Sequence, residues 1–346
     1  MFSQRMRASL RGWGGVGAMA VGCVLALAFA LLLPLTQSRG GGGGGVGLGG
    51  PGLATGSPAK AGSCVDSQAQ NDTWSPSSAD GGTIDAIKAR KGDKRKLIVG
   101  VDQNSYRWGY RNPNNSSADL EGFDIDLVHK IAQEILGDPG AVTFKAIPTS
   151  QRIPAIQNDR VDMVVRTMTI TCERLDDVAF SAPYFKTGQQ VLAPKSSSIK
   201  GYDATLANKR VCTAASSTAY DDVTADKGSG RLPSSVKVTV VPNQLDCLVR
   251  LQLGEVDAVV TDGALAASQA AQDPTVELKG AAFTTEYYGV AMKKNATDLV
   301  RRVNQILVEY RSDGGWQASY DRWLSATLGA HSTASKPPAP QYLRTS

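Results

Sequence analysis

The sequence predicts an α/β protein of two similar lobes, and three observations point that way. The stretch from Thr83 to Ala330 is long enough for two modest lobes or one large domain. Within it, short apolar runs of strand character alternate with segments of helical spacing. One helix-turn-strand unit also occurs twice. In the first copy Ser150 reads as an N-cap, Arg152-Ile153-Pro154-Ala155-Ile156 as a helix whose first turn tolerates proline, and Arg160-Val161-Asp162-Met163-Val164-Val165-Arg166-Thr167 as the strand. In the second, Leu245 to Leu253 is a helix ending at Gly254, and Glu255-Val256-Asp257-Ala258-Val259-Val260-Thr261-Asp262 repeats the strand. The first strands echo as well, Lys96-Leu97-Ile98-Val99 against Lys209-Arg210-Val211-Cys212. Val-Asp-x-Val-Val alone is a weak pattern; the matching helix in front of each copy turns it into a repeat of two lobes set side by side.

Taken in chain order, Arg5, Arg7 and Arg11 precede an uncharged apolar run from Ala18 to Leu35. Its length lies between that of a cleaved signal core and that of a spanning helix, so residues 1–38 read as a membrane anchor or signal segment, with the arginines cytoplasmic and everything after Leu35 outside. Residues 39–82 read as a tether, Gly-rich from Gly40 to Ser63. Lys96 to Val101 is a buried strand ending at Asp102, and Ile125, Val128, Ile131, Ala132, Ile135 and Leu136 recur at helical spacing until Gly137-Asp138-Pro139. The expected organisation is lobe 1 over 83–185, lobe 2 over 186–286, a return to lobe 1 over 287–330, and a disordered tail over 331–346, rich in Pro, Ala and Ser. Cys23 sits inside the apolar run as a small hydrophobe. In an exported chain the even set Cys64, Cys172, Cys212 and Cys247 favours two disulfides, and three pairings are open. The small residues Ala61-Gly62-Ser63 also suit a lipid-modified Cys64, although such a site ordinarily follows the apolar run directly.

Composition excludes several functions. With 42% hydrophobic and 20% charged residues the chain is neither disordered as a whole nor a polytopic membrane protein. The net charge of +5 is spread along the chain without a basic stripe, which argues against nucleic acid. Only His129 and His331 are present, so a His-dependent triad, a His-rich metal site and an HExxH protease all lack their residues.

In open α/β sheets ligands bind beyond the carboxyl ends of strands. If two such lobes face each other, the first contributes Arg166, Thr167, Thr169, Thr171 and Arg174, and the second Thr261 and Asp262. A cationic wall with hydroxyl donors opposite a carboxylate complements an α-amino acid, because a guanidinium forks onto a carboxylate and Asp accepts from an ammonium. On spacing alone Arg174 and Asp262 read equally well as members of ordinary ion pairs.

From about Lys94 to Leu328 the chain resembles the bacterial extracellular solute-binding proteins of family 3, the polar amino acid receptors of ABC importers, with the actinobacterial glutamate/glutamine-binding type most similar. The resemblance is carried by Glu121-Gly122-Phe123-Asp124-Ile125-Asp126-Leu127, Thr167-Met168-Thr169-Ile170-Thr171-Cys172-Glu173-Arg174, Phe180-Ser181-Ala182-Pro183-Tyr184, Val256-Asp257-Ala258-Val259-Val260-Thr261-Asp262, Asp313-Gly314-Gly315-Trp316 and Trp323-Leu324. It implies a two-lobed periplasmic-binding-protein type II fold with a two-strand hinge near Tyr184 to Gly188 and Glu286 to Gly289. It also implies that Arg174 grips the ligand α-carboxylate with Thr169, that Asp262 takes the α-ammonium, and that Thr218 donates from the start of a second-lobe helix. Glutamine receptors commonly carry small residues in place of Arg166-Thr167 and an aromatic near Thr149. Ser150-Gln151-Arg152-Ile153-Pro154 instead resembles glutamate/aspartate receptors, whose Ser and Arg meet the side-chain carboxylate. Glutamate or aspartate is therefore expected ahead of glutamine or asparagine. Arg166 is a further candidate contact, and Tyr106 and Trp108 read either as a shelf for the ligand stem or as packing.

The resemblance pairs Cys212 with Cys247 and leaves Cys64 with Cys172. It implies no enzyme activity, cofactor or metal. The expected partners are the amino acid and ABC permease subunits, the expected state is a monomer, and the expected location is the outer face of the cell membrane, or secretion if the leader is cleaved. A membrane-tethered sensor for a signalling partner is the alternative role. An enzyme on this scaffold, a dehydratase or a wall-cleaving enzyme, would need a general acid or base in the cleft, where Glu173 is the one carboxylate of the Thr-rich motif.

Overall fold

The computed structural model describes residues 64–114 and 119–345. The apolar run, its arginines, Cys23 and the Gly-rich stretch up to Ser63 lie outside the described residues. Among the described residues no helix is long and apolar enough to cross a membrane.

The first lobe opens with β1 (Leu97–Val101), followed by a small antiparallel sheet of β2 (Asn104–Ser105), β3 (Gly109–Arg111) and β4 (Leu120–Glu121). Then come β5 (Val142–Ala146), β6 (Met163–Val164) and β7 (Val178–Phe180). β8 (Phe185–Thr187) leads to the second lobe, which holds β9 (Gln189–Pro194), β10 (Arg210–Ala214), β11 (Lys237–Val241), β12 (Ala258–Asp262) and β13 (Val276–Lys279). β14 (Glu286–Tyr288) leads back to β15 (Ala291–Lys293).

Two five-stranded sheets result, ordered β5-β1-β6-β15-β7 and β11-β10-β12-β9-β13. They share one plan. A central strand, β1 or β10, has parallel neighbours on both sides, and beyond the third strand lies an antiparallel one, β15 or β9, that the chain reaches only after passing from the other lobe. The sequence echo is thus an echo of topology. Parallel central strands are covered by helices on both faces, which is why β12 is buried along its whole length. The helix Phe123–Leu136 buries Phe123, Ile125, Leu127, Val128, Ile131, Ala132 and Ile135 and ends on Gly137 at φ 78°, as its spacing predicts.

β8 and β14 form a separate antiparallel ribbon between the sheets, with Phe185 opposite Tyr288 and Thr187 opposite Glu286. Their rings stack at 5.9 Å and join Trp108, Phe123, Tyr184 and Trp316 in one aromatic cluster. The Trp316 indole N–H donates to the Tyr184 carbonyl at 2.8 Å, so the C-terminal helices clamp the root of the ribbon. At Gly188, just past β8, a Cβ would strike the Thr284 carbonyl, so the two crossings approach this closely only with glycine there.

Two expectations are corrected. The tether does not extend to residue 82: Asp66–Asn71 form a 3₁₀ helix, and buried Thr73 donates to the Phe180 carbonyl at 2.7 Å. The tail is not disordered either. The N–H groups of Leu343 and Arg344 donate to the carbonyls of Asn71 and Thr73, both at 3.0 Å, and Arg344 forks onto Asp72 at 2.5 and 2.8 Å. A polar, Pro-rich composition does not reveal a bidentate pair with a segment far away in sequence.

Disulfides join Cys64 to Cys172 and Cys212 to Cys247. The second ties β10 to the helix Gln244–Gln252 within the second lobe. Replacing both of its cysteines with alanine is expected to cost about 4 kcal/mol in the chain-entropy account, measurable as a lower urea midpoint of the oxidised protein.

Candidate functional site

The strand ends of both lobes converge on a small cavity lined by Arg152, Thr167, Thr169 and Arg174 from the first lobe and Thr218, Thr261 and Asp262 from the second. Next to it, and sharing Arg152, Arg174 and Thr218 with it, is a larger mouth of about 550 Å³ lined also by Ser150 and the acidic Asp221 and Asp222.

Local rules explain how each group is delivered. Thr171 caps the helix Cys172–Asp177, its hydroxyl accepting from the Arg174 N–H at 3.2 Å. The Cys172 N–H, a free donor of the same helix start, is met by Asp66 at 2.8 Å, and the disulfide to Cys64 holds that partner in place. Arg174 therefore projects from a braced turn. Thr167 sits in the left-handed region at φ 41°, a strained position for a β-branched residue. The buried Asp124 carboxylate accepts from the Thr167 N–H at 3.1 Å and from the Tyr184 hydroxyl at 2.9 Å. In the second lobe Ser217 caps the helix Thr218–Ser229, and Ser216 at φ 56° turns its carbonyl toward the first lobe.

The charges in the cleft lack the usual partners. Arg174 donates to the carbonyls of Thr169 at 2.7 Å and Ser216 at 3.1 Å. Arg152 donates to the carbonyls of Thr149 at 3.0 Å and, again, Ser216 at 3.1 Å. Both are buried, and among the described residues neither meets a carboxylate at ion-pair distance. Burial, then the neighbouring guanidiniums of Arg174 and Arg166, disfavours the charge on Arg152; burial does the same to Arg174. A guanidinium keeps its proton under such stress and is relieved by an anion.

The opposite pole is acidic. Asp262 accepts from the Tyr288 hydroxyl in a short bond and from the Gln189 amide at 2.8 Å. Glu286 accepts from the hydroxyls of Thr169 at 2.5 Å and Thr218 at 3.0 Å. Burial first, and then the Glu286 charge, pushes the Asp262 carboxyl well above the usual range.

Most of the residues singled out from sequence are brought together here. Arg174, Asp262, Thr169, Thr167, Thr218, Arg152 and Thr261 line the inner cavity, and Ser150 lines only the mouth. Ser150 also falls in a 3₁₀ turn instead of capping, since the helix begins at Arg152. Three candidates do not line the cavity. Arg166 is fully buried in an ion pair with Asp102 at 2.8 Å, with further bonds to Thr149 and Asn243, because β1 and β6 are parallel neighbours and bring the residues just past their ends side by side. Tyr106 packs edge-on against Tyr110 at 5.0 Å beside a different crevice, and Trp108 belongs to the aromatic cluster. Glu286 and Gln189 were missed as site residues. Their signal was faint: a lone carboxylate in the aromatic stretch Glu286-Tyr287-Tyr288, and a polar pair opening an otherwise apolar strand.

Burial raises the Asp124 carboxyl to about 7 against the hydrogen bonds from Tyr184 and Thr167, which pull it down. Between its ordinary value of 3.8 and about 7 the folded chain binds the extra proton, so this group's contribution to stability is full below about pH 4 and is lost as pH rises through 7. Asp124→Asn should flatten the fall in urea midpoint between pH 5 and pH 8; an unchanged slope would show that the decline has another source.

The chain matches the family described as bacterial extracellular solute-binding proteins, family 3, over residues 97–326. It is 35% identical over 242 residues to the glutamine-binding protein of an ABC transporter from Bacillus subtilis, covering 70% of this chain and 84% of that one. It is 29% identical over 250 residues to a glutamate-binding protein of Corynebacterium efficiens, covering 68% and 80%. Among solved structures, an ancestral arginine-binding protein bound to glutamine is 35% identical with a TM-score of 0.59, over 66% of this chain and 97% of that one. The solute receptor for L-cysteine of Neisseria gonorrhoeae gives a TM-score of 0.66 at 25% identity, over 75% and 100%. A profile that spans both lobes, the hinge and the cleft, together with relatives covered over most of their length, makes this chain a member of the bacterial extracellular solute-binding proteins, family 3.

Proposed function

We propose that the protein captures an acidic α-amino acid, glutamate or aspartate ahead of glutamine and asparagine, by closing its two lobes around it, and presents it to the membrane subunits of an ABC importer. One observation carries this reading. Two buried guanidiniums, Arg152 and Arg174, converge on a single carbonyl without a carboxylate, facing two buried carboxylates, Asp262 and Glu286, without a cation. A dicarboxylic amino acid offers two anions and one ammonium in that arrangement. In this reading Arg174 and Thr169 receive the α-carboxylate, Asp262 the α-ammonium, and Arg152, with Ser150 at the mouth, the side-chain carboxylate. A bridging ligand satisfies both poles only when the lobes are closed, so it shifts the population toward the closed form about the β8–β14 ribbon. The relatives described as glutamine-binding and glutamate-binding support the ligand class.

Glutamine is the second reading. Two relatives at 35% identity are described as glutamine-binding, and a side-chain amide oxygen can also accept from Arg152.

Isothermal calorimetry with the four amino acids tests both. Arg174→Ala should weaken glutamate binding by about two to four orders of magnitude, since removing one side of a buried charge pair costs about 3 to 5 kcal/mol. Arg152→Ala should weaken glutamate by a larger factor than glutamine. Undiminished glutamate affinity in Arg174→Ala would refute the assignment of the carboxylate.

A further inference from the structure

Gln189, at the start of β9, is 1% exposed, and its amide nitrogen contacts three acceptors: Thr218 Oγ1 at 2.7 Å, Asp262 Oδ1 at 2.8 Å and Glu286 Oε1 at 2.7 Å. A carboxamide has two N–H bonds, so it cannot donate to all three at once. An ammonium has three. Turning the amide over would set its oxygen against two carboxylates, so the nitrogen faces inward on physical grounds and not only by assignment. The oxygen is meanwhile buried without a hydrogen-bond partner, and the pose rests on the nitrogen alone. The cradle thus has the donor demand and the negative charge that suit a –NH₃⁺ group, with a neutral side chain sitting at its centre.

The other pole is arranged in the same way. The Ser216 carbonyl, a neutral acceptor, lies between two guanidiniums where a carboxylate would be held more strongly. The Gln189 backbone is committed to the scaffold: its N–H donates to Thr284 Oγ1 at 2.8 Å, its carbonyl accepts from Phe283 at 2.9 Å, and it pairs with Asp262 across β9 and β12. Only its side chain is free to leave.

We propose that the Gln189 amide is a tethered competitor for the ammonium position, holding the three-acceptor cradle of Thr218, Asp262 and Glu286 until the ammonium of an α-amino acid displaces it. The inference rests on the reading above that such a ligand enters the cleft. It makes the site selective for a group with three donors and a positive charge: the amide nitrogen of an N-acyl amino acid brings one donor and no positive charge, and does not displace the Gln189 amide.

Calorimetry on the folded full chain, with L-glutamate and L-glutamine as probes, tests it. Gln189→Ala removes the competitor and should tighten binding of both by roughly three- to tenfold, the range set by the net strength of the displaced hydrogen bonds. If Gln189 instead contacts the ligand, the same variant binds more weakly. A dissociation constant equal to or weaker than that of the wild type therefore overturns the proposal while leaving the amino acid reading intact. A wild-type protein that binds neither probe overturns both. Gln189→Lys supplies a tethered ammonium of its own and is expected to lose the rise in melting temperature that glutamate gives the wild type; a retained wild-type shift counts against the cradle.

Discussion

Two buried guanidiniums and two buried carboxyl groups that form no ion pair across the cleft set the problem this structure solves. Arg152 and Arg174 project from the first lobe and donate to carbonyls, while Asp262 and Glu286 lie at the second lobe and the ribbon, accept from hydroxyls and the Gln189 amide, and bear on each other. Taking charge out of water costs several kcal/mol per ion unless it is compensated. A direct ion pair between the poles would discharge that stress and leave nothing for a ligand to contribute. By keeping the poles apart, the fold leaves their electrostatic potential undischarged.

The scaffold serves that separation. The parallel strands end at the cleft, and the residues just past them take left-handed or capped conformations, Thr167 over Asp124 and Ser216 before the Ser217 cap. These are local strains borne by rigid surroundings. The ribbon β8–β14 carries Glu286 into the site and, two residues past the end of β8, gives way to the strand that carries Gln189, so these cleft groups and the crossing between the lobes are the same short segment. The charged groups of the cleft therefore lie at the crossing between the lobes. The Cys64–Cys172 disulfide and Asp66 brace the helix that carries Arg174, which ties the start of the described chain to the same wall.

The surroundings of the mouth extend the picture. Asp221 and Asp222 lie on its rim, and burial followed by the nearby Glu286 charge lifts Asp222 to about 6. Arg152 and Arg174 line the same mouth, so groups of both signs stand together where the cleft meets solvent.

Much of this was legible along the chain. The repeated helix-turn-strand unit, the strand-end positions of Thr167 and Asp262, the Thr-rich turn before Arg174 and the even cysteine set are local or periodic signals, and a period survives in one dimension. What only the tertiary structure decided is which charges meet. Arg166 and Arg174 look alike as arginines after a strand, yet the parallel pairing of β1 with β6 sets Asp102 beside Arg166 and consumes it, while Arg174 is left without an anion. Likewise the antiparallel register of β9 with β12 brings Gln189 against Asp262, and the ribbon brings Glu286 to Thr169 and Thr218. Hydropathy and spacing report which face a residue occupies. They carry no information on the partner across a sheet, because that partner is fixed by strand order and register between segments distant in sequence.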